Sequence, residues 1–92
     1  MEQYVFVRLH AREGDEGMVE EVLRKVTGLS REEVGCLSFH IFRSMRDRRL
    51  FFIHSRWVDA AAFQEHSGVR FLEQVATLLD QPREVTRTEM IR

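Results

Sequence analysis

The sequence predicts a two-layer α+β domain, in which helices cover one face of a single antiparallel sheet. Three observations lead there. Two segments alternate in side-chain character with period two, a third of strand length is apolar on both faces through Ile53, and a fourth alternates weakly; two longer segments repeat apolar residues at helical spacing; and along the 92 residues these follow the order β-α-β-β-α-β. That order is the split pattern of ferredoxin-like folds. Residues 1-92 are read as one such domain, since the chain is too short for two.

The first strand runs from Tyr4 to Ala11. Val5, Val7, Leu9 and Ala11 share one face, and Tyr4, Phe6, Arg8 and His10 share the other. Gly14 and Asp15 break it and open a helix, whose apolar face is read as Val19, Val22, Leu23, Val26 and Leu29. Glu20 and Glu21 precede Arg24 and Lys25 by four residues, the favourable order for ion pairs on a helix surface. Ser30 to Gly35 reads as a polar exit.

Cys36 to Ser44 is the second strand, with Leu37, Phe39 and Ile41 on its apolar face and Cys36, Ser38, His40 and Phe42 on the other. A charged turn, Met45 to Arg49, joins it to a third strand, Leu50 to Trp57, as a hairpin. Asp59 is placed to cap a second helix that begins Ala60-Ala61-Ala62. Ser67 and Gly68 interrupt its pattern, which resumes with Phe71, Leu72, Val75, Leu78 and Leu79 until Pro82 stops it. Glu84 to Ile91 reads as a last strand, at an edge or exchanged with a partner.

Composition narrows the function. With 43% hydrophobic residues and a net charge of -1, the chain is neither disordered nor generally attracted to nucleic acid or anionic membrane. Cys36 is its single cysteine, so no intrachain disulfide forms. The first residues lack the apolar core of a secretory signal, and no apolar run approaches the roughly 20 residues of a membrane helix. The expectation is a cytoplasmic protein without nucleic-acid or membrane partners.

Two helices cover one sheet face only. The other carries Tyr4, Phe6, Phe42 and Phe52 across three strands, a large apolar patch for a small monomer. A second copy packed sheet to sheet covers it, so a homodimer is expected.

No phosphate-binding glycine loop, zinc spacing or nucleophile elbow is present. Four histidines (His10, His40, His54, His66) lack metal-ligand spacing and read as hydrogen-bonded residues, so no metal is expected. Arg43, Arg46, Arg48 and Arg49 cluster in the hairpin, where a solvated turn is the simpler reading than an anion grip. Trp57 has the strand phase of Phe51, Ile53 and Ser55, and His66 follows nine residues later. A tryptophan and a histidine at one rim could hold a flat aromatic substrate and relay a proton, with Val7, Phe39 and Ile53 as floor. Core packing and a helix-end surface role are the alternatives.

Three stretches carry a resemblance to the antibiotic biosynthesis monooxygenase (ABM) family of the dimeric α/β-barrel superfamily: a strand running into Ala11-Arg12-Glu13-Gly14 and an acidic helix, then Gly35-Cys36-Leu37-Ser38-Phe39, then Trp57 through Asp59 to His66. The resemblance implies a homodimer whose sheets close into a barrel. It also implies oxidation of a quinol, phenol or polyketide-like aromatic by O₂ with no cofactor, His66 and Trp57 acting as catalytic residues. Ser55 stands where quinol-oxidising members usually have glutamate, and Phe71 where they often have a second histidine. Phe71 then becomes a substrate-contacting wall, and a non-catalytic small-molecule-binding or accessory homodimer is the alternative. Relatives that degrade haem use an asparagine and a ligand histidine where this chain has Val7 and Ala76, which argues against haem chemistry.

Overall fold

The computed structural model describes residues 1–65 and 69–92, and side chains up to residue 65 and from residue 72. Its elements are β1 (Gln3–His10), α1 (Glu16–Arg31), β2 (Cys36–Arg43), β3 (Leu50–Trp57), α2 (Ala60–Gln64), α3 (Val69–Val75), a 3₁₀ turn (Ala76–Leu78) and β4 (Glu84–Thr88). The four strands form one sheet in the order β2-β3-β1-β4, every neighbouring pair antiparallel. The ferredoxin-like α+β fold is therefore as the sequence implies, with helices on one face.

Alternation in β1 positions the core. Val5, Val7, Leu9 and Ala11 are buried beneath the helices, and β3 adds Phe51, Ile53, Ser55 and Trp57 to the same layer. Val7 lies opposite Ile53, and Phe39 opposite Ser55. Each fully buried valine, leucine, isoleucine or phenylalanine in this layer contributes about 1.5–3 kcal/mol by leaving water.

The second strand departs from its sequence reading. A bulge between Cys36 and Ser38 puts an extra residue into β2, so Cys36 pairs with Trp57 and packs against the core, while Leu37 is 46% exposed. Leu37 therefore does not belong to the helix-facing layer: one inserted residue reverses the phase on its far side.

The first helix is also rotated from its expected face. Val19, Leu23, Val26, Thr27 and Ser30 are buried, whereas Leu29 is 42% exposed. At about 100° per residue the buried face centres between Leu23 and Ser30, which places Leu29 about a quarter turn away. Ser30 and Arg31 continue the helix rather than leave it.

The second helical region is two helices, and Pro82 does not end it. Helix α3 tightens into the 3₁₀ turn, and Leu79 becomes extended, forming an isolated bridge with Ala11 three residues before the proline. The last strand stops at Thr88 and pairs with β1 of its own chain.

Candidate functional site

Trp57 closes β3 with its side chain fully buried. Its indole N–H donates to Ser55 Oγ at 2.9 Å, across one period of the strand. Phe63 of α2 packs edge-to-face on the indole, with ring centroids 5.8 Å apart. The Arg87 guanidinium, from the helix side of β4, lies 5.2 Å from the Phe63 centroid and is held there by two hydrogen bonds to Gln3 Oε1. Ser55, Trp57, Phe63 and Arg87 thus form a continuous stack from the sheet centre to its β4 edge.

Local sequence makes this arrangement. Gly35 adopts φ +93°, and a Cβ there would sit 2.6 Å from Ala62 Cβ. The absent side chain lets α2 approach the end of β2. Asp59 caps α2 as expected, its carboxylate accepting from the Ala62 N–H at 2.8 Å. Ala62 and Phe63 are the α2 residues packed against the core.

Of the expected site residues, Trp57, Val7, Phe39 and Ile53 lie together in the buried helix-facing layer. His66 and the Phe71 side chain lie outside the described residues. Polar groups are scarce in this layer: Thr27 donates to the Leu23 carbonyl, and Ser55 is engaged by Trp57.

The opposite face is apolar and open. Phe6, Phe42 and Phe52 are 50%, 53% and 38% exposed. With Arg8, His54, Glu84 and Thr86 they border a groove of about 520 Å³. His54 packs on Phe6 at 4.7 Å and stands opposite His40 on β2. The hairpin arginines do not converge. Arg43 bonds to Glu20 and lies over the Phe51 ring, Arg49 approaches Asp80 at 3.9 Å, and Arg46 and Arg48 are exposed.

One cluster escaped sequence reasoning. His10 is 8% exposed, and its ring is held on both sides: Nδ1 faces Asp80 Oδ1 and Oδ2 at 2.8 and 2.9 Å, and Nε2 faces Asp47 Oδ2 at 2.8 Å. Hydrogen bonding to Asp80, then to Asp47, raises the His10 pKa above its ordinary value. Asp47 is shifted down, first by the Arg49 backbone N–H and then by His10. Among the described residues no three His, Cys, Asp or Glu side chains are grouped to hold a metal ion; the two carboxylates here address opposite ring nitrogens.

Residues 3–70 match the family model for antibiotic biosynthesis monooxygenase. The chain belongs to that family. Solved structures share the ABM fold closely at low identity. The Rv0793 protein of Mycobacterium tuberculosis superposes with a TM-score of 0.92 at 23% identity, over 100% of this chain and 97% of that one. The PA3566 protein of Pseudomonas aeruginosa gives 0.89 at 22%, over 99% and 95%. A crystal structure described as an antibiotic biosynthesis monooxygenase gives 0.91 at 19%, over 98% and 99%. A search of curated proteins returned no significant match. Among the described residues of this ABM chain, no helix is long and apolar enough to cross a membrane.

Proposed function

We propose that this ABM domain works as a homodimer and oxidises a flat aromatic quinol, phenol or polyketide-like substrate with O₂, without flavin, haem or metal. The observation that carries the reading is Trp57. In a family of monooxygenases, the chain places an indole in the helix-facing layer, fixes its orientation through Ser55 and stacks a second ring on it. A planar substrate would stack on these rings where α2 moves aside, since Trp57 is fully buried in the closed layer. Val7, Phe39 and Ile53 are assigned as apolar walls, and Phe71 and His66 are proposed from their places in the sequence as a further substrate contact and the base.

The chemistry asks little of the protein beyond position and a proton acceptor. His66 removes a proton from the phenol or from an activated ring CH₂. The resulting electron-rich anion reduces O₂ directly. For a CH₂ flanked by aromatic rings, one oxygen atom becomes the new carbonyl. The other leaves as water with the two displaced hydrogens. A dry pocket protects the anion from reprotonation by bulk water.

The dimer is supported by the open sheet face. Three phenylalanines exposed side by side form a patch that a second sheet covers by two-fold symmetry. The test is oxygen uptake against hydroquinones and anthrones, comparing wild type with Trp57→Phe and His66→Ala. Turnover that survives His66→Ala unchanged would remove the proposed base. A second reading, a non-catalytic small-molecule-binding or accessory homodimer, is favoured by the state of Ser55. Its hydroxyl accepts from the Trp57 N–H at the position where quinol-oxidising members usually have glutamate. Ligand-induced thermal stabilisation without oxygen consumption selects that reading.

A further inference from the structure

His10 joins three parts of the chain that sequence keeps apart: the end of β1, the hairpin loop at Asp47, and the turn after the 3₁₀ helix at Asp80. The backbone around it is tied as well. The Asp80 N–H donates to the His10 carbonyl at 3.1 Å, and the Ala11 N–H to the Arg49 carbonyl at 2.8 Å. The loop itself is wound on Asp47. Its Oδ1 accepts from the Arg49 N–H, its carbonyl from the Leu50 N–H, and its own N–H donates to Ser44 Oγ.

We propose that His10 is a proton-operated latch. As an imidazolium it fastens the hairpin loop 44–49 and the turn at Asp80 to the end of β1, and on losing its proton it releases the loop. The argument is one of donors and acceptors. A neutral imidazole has one N–H, so it can donate to one carboxylate only, and its other nitrogen then turns a lone pair toward the second carboxylate. Two ionised carboxylates on opposite nitrogens are satisfied together only by the protonated ring.

The geometry also says which side opens. Asp80 offers both oxygens to Nδ1, its backbone N–H is bonded to the His10 carbonyl, and Arg49 stands 3.9 Å from its Oδ2. Asp47 offers one oxygen to Nε2. The remaining proton therefore stays on Nδ1, and the Asp47 side lets go. The other charged groups nearby are cations already engaged: Arg12 donates to the Leu79 carbonyl and Arg8 to Gln81 Oε1.

The sign follows from linkage. The folded His10 pKa lies above that of the unfolded chain, so its contribution is complete below the ordinary histidine range and is lost as pH rises through the folded value. For each unit of that upward shift the closed loop loses about a factor of ten relative to the open one.

Amide hydrogen exchange on the full chain, from about pH 6 to about pH 9, tests the latch across the histidine range. After correction for intrinsic base catalysis, protection of the Arg49 and Leu50 amides is expected to fall with the His10 ring titration, while the Asp80 amide keeps more of its protection. His10→Gln should give low protection and no pH step. Asp47→Asn, which removes one charge and keeps an acceptor, should move the step to lower pH; it serves also if His10→Gln does not fold. Protection independent of pH, a step retained in His10→Gln, or an unmoved step in Asp47→Asn overturns the proposal.

Discussion

Trp57 donates its indole N–H to the hydroxyl of Ser55, two residues earlier on the same strand, and neither side chain reaches solvent appreciably. This pairing makes the two positions interdependent. Ser55→Ala removes the acceptor from a buried donor and should cost about 1–2 kcal/mol. Trp57→Phe should cost about 2–3 kcal/mol through lost ring volume and the stranded hydroxyl. The double variant should be less destabilised than the sum, because each change makes the other's polar group irrelevant. Urea denaturation of the four proteins measures the coupling.

Two glycines should respond oppositely to alanine. Gly35→Ala meets Ala62 Cβ at 2.6 Å and Val58 Cγ2 at 3.2 Å with φ at +93°, so it should destabilise by about 2 kcal/mol or more and loosen α2. Gly28→Ala lies in α1 with nothing within 4 Å of the new methyl. It should stabilise by about 0.5–1 kcal/mol through helix propensity. Thermal melts of both variants decide this.

Ser30 is fully buried in α1, and its hydroxyl has no hydrogen-bond partner among the described residues. Ser30→Ala removes that hydroxyl and improves helix propensity, so a gain of about 1 kcal/mol in unfolding free energy is expected. An unchanged or lowered denaturation midpoint would count against the assignment.

Phe42 is 53% exposed on the helix-free face of a single chain. Phe42→Asp should therefore leave the protomer folded, with a circular dichroism spectrum like wild type, but should shift sedimentation from dimer to monomer at micromolar concentration. In the proposed interface the new carboxylate would be buried without a partner.

Glu20 connects α1 to the outer strand. Hydrogen bonds from Arg24, then from Arg43, lower its pKa. A carboxylate so shifted contributes stability above its unfolded pKa and loses it as pH falls through the folded one. The acid limb of the stability profile should therefore be shallower in Glu20→Gln than in wild type, with little difference between them in slope near neutral pH.

Much of this architecture is written locally in the chain, and what is not has a physical reason. The bounds of β3 are those the sequence reading gives, a strand-length segment between a charged turn and the Asp59 cap, apolar on both faces as far as Ile53. The helix-facing set Val7, Phe39, Ile53 and Trp57 follows from strand phase. Leu37 departs from the face its alternation predicts because a bulge shifts phase without any composition that announces it. Leu29 and Ser30 exchange places because burial follows the angle around the helix rather than hydrophobicity. The His10 cluster could not be read at all: Asp47 and Asp80 stand 37 and 70 residues from His10, and only the fold brings them together. Arg87 over Phe63 is hidden likewise, since it depends on which side of β1 the last strand takes.

The pairing of β1 with β4 has a consequence for how the chain is made. Tyr4 lies opposite Thr88, whose hydroxyl donates to the Tyr4 carbonyl at 2.6 Å. The strand that precedes the others of this sheet in the chain is thus interior, with β3 on one side and β4 on the other. While residues up to about 80 have left the ribosome, β1 has one finished edge and one row of bare amides and carbonyls. That row is a template for any other extended strand nearby, including the β1 of a neighbouring nascent chain. Closing it requires a contact spanning most of the sequence, the kind that forms slowly because the intervening chain must be ordered first. The interval between making β1 and sealing it with β4 is when this protein is most exposed to mispairing.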